Sequence, residues 1–362
     1  MTKIREYLSQ FQCTGSECPD PCCSGWNVPV YNEDRERLLS LYPASELQNM
    51  IDDSSIPRMR THNGRCVKQC GNGLCSVQAE FGHEILPNVC ASYPRFRGIH
   101  KGGTELGAFL SCPEIVRLML LHGDSLEDCH AEPRAVLDLD CSQNDSAYAR
   151  DFLSVRGWFQ ERIEEANRVE ELCTRIAFLV SLSPAFFHHK AGCWEDILSR
   201  PRFSIPEPTE QELLEQGTKA YTSFFACVRS FAKQGWPYPK PMALLQQSLE
   251  GEGIAIFPPE EWMMAYIRHD WNVRWYVHSP NLLFHWQSTL FKVLLIRLLY
   301  TQKKPQQNET ECFVEAVYST ERLVEHTPLK RDLFLMYNQP WHFSQWISAL
   351  LSPRTQDLLW TL

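Results

Sequence analysis

Residues 11–26 read FQCTGSECPDPCCSGW and place four cysteines, Cys13, Cys18, Cys22 and Cys23, within eleven residues. Around them stand glycine, serine, proline and aspartate, which favour turns over regular structure. Such a stretch has too few apolar side chains to hold its own shape, and thiolates converging on a metal are the simplest way to fix it. A second cysteine region follows, with Cys66-x3-Cys70-x4-Cys75, then Cys90 and Cys112. Adjacent cysteines such as Cys22 and Cys23 point different ways and rarely serve one ion together. The pattern therefore allows two sites, or one site with a structural thiol. Zinc and iron-sulfur clusters both take thiolates. No pair of Cys-x2-Cys knuckles is present, which favours an iron-sulfur cluster over zinc, the alternative; the cluster expected is of the 4Fe-4S type. The spacing also departs from the Cys-x3-Cys-x2-Cys run of radical enzymes that cleave S-adenosylmethionine, so radical chemistry cannot be read from it.

The whole chain has 362 residues, 44% of them hydrophobic, enough for a sizeable core. Its formal charge of -9 argues against a nucleic-acid binder, which usually carries a basic face. Residues 1–120 hold 12 Lys+Arg against 13 Asp+Glu and the remainder 23 against 31, so the acidity lies behind and an anionic ligand is better placed in front. The opening MTKIREYLSQFQ lacks the apolar run of a secretory signal, and no stretch of about 18 uncharged apolar residues suits a membrane span. The expectation is a cytoplasmic protein with no membrane partner. In a reducing compartment fifteen cysteines are not a disulfide framework. Nine precede residue 113, and Cys129, Cys141, Cys173, Cys193, Cys227 and Cys312 are scattered singly, as small buried hydrophobes are.

The fold class expected is mainly α: an irregular, cysteine-rich, metal-organised unit over 1–122, a linker over 123–145 rich in Gly, Pro, Asp and Asn, and an all-helical domain over 146–362. In the first part a short strand is expected at 26–30, helical turns over 33–51 around Pro43, a short helix over 76–82 and another from Ile115 to Leu121. Cys112, just before that last helix, should feel its N-terminus, which favours the thiolate. Behind the linker, Phe152, Val155, Phe159 and Ile163 recur at helical period. Further helices are expected at 209–234, 259–278, 281–301, 308–325 and 341–361, with the prolines between them marking loops.

The run FQCTGSECPDPCCSGW, Cys66-x8-Cys75-Ser-Val-Gln, the segment NVCASYPR at Asn88 to Arg95 and LSCPE at Leu110 to Glu114 resemble the flagellin lysine-N-methylase family. A wider group of cysteine-cluster proteins described as zinc- or iron-chelating is similar over the first 112 residues. The resemblance implies methyl transfer from S-adenosylmethionine to lysine ε-amines of flagellin. It also implies the ligand set Cys13, Cys18, Cys22, Cys23, Cys66, Cys75, Cys90 and Cys112; Cys70 has no counterpart in the family pattern. The alternative is a non-enzymatic zinc- or iron-binding protein whose helical domain binds a partner. Oligomeric state is open.

Methyl transfer needs a donor and a neutral amine, so a protonated lysine must first lose its proton to a base or a desolvating pocket. Tyr93 and Arg95, beside Cys90, offer a ring and a cation to S-adenosylmethionine, with packing and turn-capping as their plain alternative. Asp20, Glu80, His83 and Glu84 are candidate bases, each an ordinary exposed side chain by default. Gly102-Gly103-Thr104-Glu105 is the nearest approach to a nucleotide-binding glycine turn and reads better as a plain turn. Trp271 and Trp275, flanked by Trp262 and Trp286, could hold an ammonium group by cation–π attraction, although such a stripe is more often core. His188, His189 and His342 lack metal-ligand spacing.

Overall fold

A computed structural model of the chain describes residues 2–25, 28–130, 133, 135–142, 152–173, 209–234, 236, 238–250, 256–278, 282–301, 308–327 and 329. The first elements are β1 (Thr2–Arg5), α1 (Glu6–Ser9), α2 (Asn32–Leu39), α3 (Ala44–Met50), β2 (Thr61–His62), β3 (Arg65–Cys66), α4 (Ser76–Phe81) and α5 (Asn88–Ser92). Then come β4 (Arg95–His100), β5 (Gly103–Ala108), α6 (Pro113–His122), β6 (Leu126–Asp128) and β7 (Leu137–Asp140). Behind them lie α7 (Phe152–Glu164), α8 (Glu210–Ala232), α9 (Pro239–Glu250), α10 (Glu260–His278), α11 (Leu282–Thr301) and α12 (Glu309–Glu325). The protein is thus largely helical but carries a mixed sheet. The chain divides into two compact units, one of Met1–Gly98, Thr104–Leu139 and Gly235–Ala243, the other of the remaining segments.

The sheet has the order β6-β1-β5-β4-β7. Strand β1 runs parallel to β5, with Ile4 opposite Leu106, and antiparallel to β6, with Ile4 opposite Glu127. Along β4 the exposure alternates strictly, Phe96, Gly98 and His100 inward and Arg95, Arg97 and Ile99 outward, as a half-buried strand requires. The Lys101-Gly102 pair turns β4 into β5, so Gly102 is a turn residue and Gly103 opens the strand. Arg97 on β4 meets Asp138 on β7 at 2.7 Å. Residues 123–145, expected as linker, therefore supply two strands to the sheet. Strands of three and four residues leave no alternating pattern long enough to see in sequence.

Between β1 and β4 the chain builds an apolar core. Val30, Leu38, Leu47, Met50, Val77 and Leu86 pack together, with Cys66, Cys75 and Cys90 on the margin. The irregular metal-organised unit expected here is not what the described residues show, because a set of short helices with an apolar core of its own supports the cysteines. Pro43 starts α3, as anticipated, and α2 ends before it. At 26–30, Trp26 and Asn27 lie outside the described residues; Pro29 makes only an isolated bridge to Arg58.

Among the helices behind, α7, α8, α10, α11 and α12 fall where the periodicity put them. Helix α9 lies where the prolines of the sequence mark loop. Pro239 and Pro241 both stand in its first turn, where the missing N–H groups have no helical partner to lose. The helix expected over 341–361 and Cys193, His188, His189 and His342 lie outside the described residues. Helix α11 is buried nearly all round, and Trp271 and Trp286 stack at 5.3 Å with Phe159 4.0 Å from Trp271. The tryptophans are core, packed on one another; the side chain of Trp275 lies outside the described residues, and Trp262 packs on Phe313 at 5.5 Å. Cys173, Cys227 and Cys312 are buried as small hydrophobes. No helix among the described residues is long and apolar enough to cross a membrane.

Buried among α10, α11 and α12 is a polar cluster that periodicity did not reveal. Lys292 bonds Asp270 and lies 3.3 Å from Glu325 and 3.4 Å from Glu321. Thr289 donates to Asp270 at 2.5 Å, and Tyr266 donates to Glu321 at 2.7 Å.

Candidate functional site

The cysteine loops dock on one another through backbone bonds. Cys66 N–H donates to the Cys23 carbonyl at 3.0 Å and Gly25 N–H to the Gly64 carbonyl at 2.8 Å, so the first loop lies along the β2–β3 hairpin. Gly25 has φ 91 and Gly64 φ 74, positive values at which glycine carries no steric penalty. Ser24 Oγ donates to Gln69 at 3.2 Å, and Lys240 donates to the Pro19 carbonyl between Cys18 and Cys22. Hydrogen bonding and apolar packing thus bring distant cysteines into one neighbourhood.

The thiols sense one another there. Cys23 is pushed well above the ordinary thiol range, first by its hydrogen bonds to Cys22 and Cys75, then by burial. Cys75, which accepts the Cys23 bond, is pulled down to about 6; the Gln78 and Val77 N–H groups of α4 and the Lys68 ammonium help, against burial. Cys75 precedes α4, so its sulfur meets the first amides of that helix. Burial also raises Cys66, opposed by Lys68, with Cys75 and Cys22 adding to it. Cys90 is raised strongly by burial and by Cys22, Cys66 and Cys75. Seven of the expected ligands, Cys18, Cys22, Cys23, Cys66, Cys75, Cys90 and Cys112, are linked in this way, with Cys22 felt by four of the others.

Cys112 corrects one expectation. It precedes α6 and receives the Ile115 and Glu114 amides, yet burial outweighs them and pushes it up to about 12. Its neighbours are Cys18 and Cys22. Cys13 is exposed, and its field acts on Arg95. Cys70 is exposed in a tight turn, its N–H bonded to the Leu74 carbonyl at 2.8 Å.

Arg95 donates to the Ala91 carbonyl at the end of α5 at 2.8 Å and lies 5.8 Å over the Phe11 ring. Tyr93 shares a 3.0 Å hydrogen bond with Ser111. Both side chains are half-buried beside Cys90 or Cys112 and already have these protein contacts. Of the candidate bases, Asp20 is buried, Glu80 and Glu84 are exposed and His83 is half-buried. Lys68, missed in the sequence, lies 2.8 Å from Glu46 and 4.3 Å over the Tyr42 ring, two residues after Cys66. That proximity to a cysteine was the available signal.

Seven sulfurs, some pushed up and one pulled down, describe a donor set that cannot ionise together without a cation; this fits thiolate-loving metals by chemistry. Among the described residues, no group of three or more His, Cys, Asp or Glu side chains is arranged to hold a metal ion as it stands.

No protein-family model matches the chain, and no solved structure does. It is similar to the flagellar biosynthetic protein FliU of Salmonella muenchen, 25% identical over 131 residues that make up 33% of this chain and 77% of that protein. Lysine-N-methylases of Salmonella typhimurium and Salmonella choleraesuis are each 24% identical to it over 131 residues, 33% of this chain and 32% of their own length. The match spans about a third of the lysine-N-methylases, so the chain's demonstrated kinship is a distant one, confined to one third of its length and pointing to lysine-N-methylase and flagellar proteins.

Proposed function

We propose that the chain is a protein-lysine N-methyltransferase that uses S-adenosylmethionine, acts on lysine ε-amines of flagellin, and carries a cysteine-ligated iron-sulfur cluster of the 4Fe-4S type. The observation that carries the reading is the gathering of Cys18, Cys22, Cys23, Cys66, Cys75, Cys90 and Cys112 into one field of interacting thiols in a chain distantly similar to lysine-N-methylases. Those seven, with Cys13, are the residues that would hold the cluster. Bound there, a cluster supplies a covalent hub for the loops and a redox-active iron site.

The transfer itself is a displacement. The neutral amine nitrogen attacks the donor methyl carbon, the carbon–sulfur bond breaks with its electron pair returning to sulfur, and the nitrogen proton passes to a base. Arg95 suits the donor's carboxylate by charge and Tyr93 its adenine by stacking. Burial already lowers the affinity of Arg95 for its proton, with Cys13 opposing, so an anion beside it is favoured. The acidic rear of the sequence remains the platform proposed for the protein substrate, in a cytoplasmic setting.

Anaerobically purified protein should be brown, with iron and acid-labile sulfide in comparable amounts. Incubated with S-adenosylmethionine and unassembled flagellin, it should add steps of about 14 Da on lysine. Metal-replete, folded protein that adds no mass to flagellin overturns the enzymatic reading, and colourless protein holding zinc overturns the cluster.

A further inference from the structure

We infer that the buried carboxylate of Asp34 is a positioning residue for Cys90, acting through the first turn of α5. The inference rests on reading the cysteines as metal ligands. Helix α5 has five residues, too few to stand without outside support, since the first turn of a helix is the costly one to form. Its ends are held by other elements. Asp34, fully buried, accepts the Asn88 N–H at 2.9 Å through Oδ1 and the Tyr31 N–H at 3.0 Å through Oδ2. Arg37 bonds the same carboxylate and reaches Asn88 Oδ1 at 2.9 Å and the Leu86 carbonyl at 3.2 Å. At the other end Arg95 takes the Ala91 carbonyl.

The contact with Tyr31 is ordinary capping of α2, since it satisfies a group at that helix's own start. The contact with Asn88, 54 residues away, does nothing for α2. It satisfies the first free amide of α5 and sets where that turn begins. Cys90 lies two residues on, between Val89 and Ala91, both buried in the core. With the start and the flanking residues fixed, the cysteine has one place to be. The arrangement matches the outer-shell groups of metal sites, which orient a ligand without touching the metal.

The test uses metal-free full-length protein titrated with cobalt(II) alone, read by the sulfur-to-cobalt charge-transfer band. Cys90→Ser should lose part of the band. Asp34→Ala should lose the same part and bind cobalt about 10-fold or more weakly. The double variant should bind no more weakly than Cys90→Ser. A second substitution guards against a folding failure at Asp34. Asn88→Pro deletes the N–H that Asp34 accepts, yet suits the first position of a helix and the extended Pro87 before it, φ -50 and ψ 143. It should reproduce the Asp34→Ala spectrum. Leu47→Ala, in the same core but on α3, should keep the full band. A wild-type spectrum and affinity in both Asp34→Ala and Asn88→Pro, or additive losses with Cys90→Ser, overturn the inference. Absence of the band in wild-type protein overturns the metal reading itself, and the inference with it.

Discussion

Replacing Lys292 with Met tests whether the helical unit depends on its buried charges. The side chain is 2% exposed, and its ammonium bonds Asp270 and lies 3.3 Å from Glu325 and 3.4 Å from Glu321. Methionine keeps the length and apolar stem, so the packing change is small. What is lost is the cation among three carboxylates. Removing one partner of a buried ion pair costs about 3–5 kcal/mol, because the other charge is left in the interior. With a urea m value of about 3 kcal/mol/M, that moves the midpoint down by about 1–1.7 M. Trp271 and Trp286 pack beside the cluster, so tryptophan fluorescence in a urea titration reads this unit. An ionised Asp270 without its ammonium is disfavoured, and acid neutralises carboxylates; the deficit should therefore shrink toward pH 5 and grow toward pH 8. A packing defect has no such dependence. A midpoint shift below about 0.3 M, or one indifferent to pH, refutes the reasoning.

The cysteine region yields three further expectations. Because Val30, Leu38, Leu47 and Met50 form a core beneath the thiols, removal of metal by a chelator should leave the far-UV circular dichroism largely intact while the thermal midpoint falls; a coil spectrum would show that metal organises the unit after all. In metal-free protein the Cys75 thiolate, favoured down to about pH 6, should be alkylated by iodoacetamide at pH 7 well before Cys66, Cys90 or Cys112, which burial pushes the other way. Its rate should fall about tenfold by pH 5 as the thiolate is protonated, measured by peptide mapping, and a rate flat from pH 5 to 7 would contradict the assignment. Cys22→Ala, at the hub, should abolish stoichiometric metal binding, whereas Cys227→Ala, one buried thiol on α8, should cost about 1 kcal/mol and leave metal content unchanged; equal metal loss in both would be fatal to the hub.

Helices were legible in this chain where an apolar face recurs at helical period for three turns or more, as in α7 and α12. The sheet was not. Strands β1, β6 and β7 have four, three and four residues, too few to show alternation, and β1 finds its parallel partner β5 about a hundred residues later, a distance at which no local pattern speaks. Helix α9 was hidden by prolines whose position in the first turn, rather than presence, decides their effect. The buried cluster left one trace: α11 carries Lys292 and Arg297 with no acidic residue of its own. A cation on a helix buried nearly all round must be answered from another element, and Glu321 and Glu325, four apart on α12, were the available answer.

For the candidate site, the residue types and their order were legible and the support was not. Turn-forming residues around Cys13 to Cys23 suggest a loop that metal alone can shape. The structure instead shapes it from both sides, with Cys23 and Gly25 bonded to the β2–β3 hairpin and Cys66, Cys75 and Cys90 on the margin of an apolar core. The difference changes what a metal contributes. In a loop without a core, binding energy is folding energy. Here the folding cost is largely met by burial and backbone bonds. What would be left for the proposed metal is the electrostatic conflict among thiols that cannot all be charged at once, with Cys23 pushed up and Cys75 pulled down. A site so prepared should hold its metal tightly because the conflict disappears on binding, and Asp34, which places Cys90 before any metal arrives, belongs to that preparation.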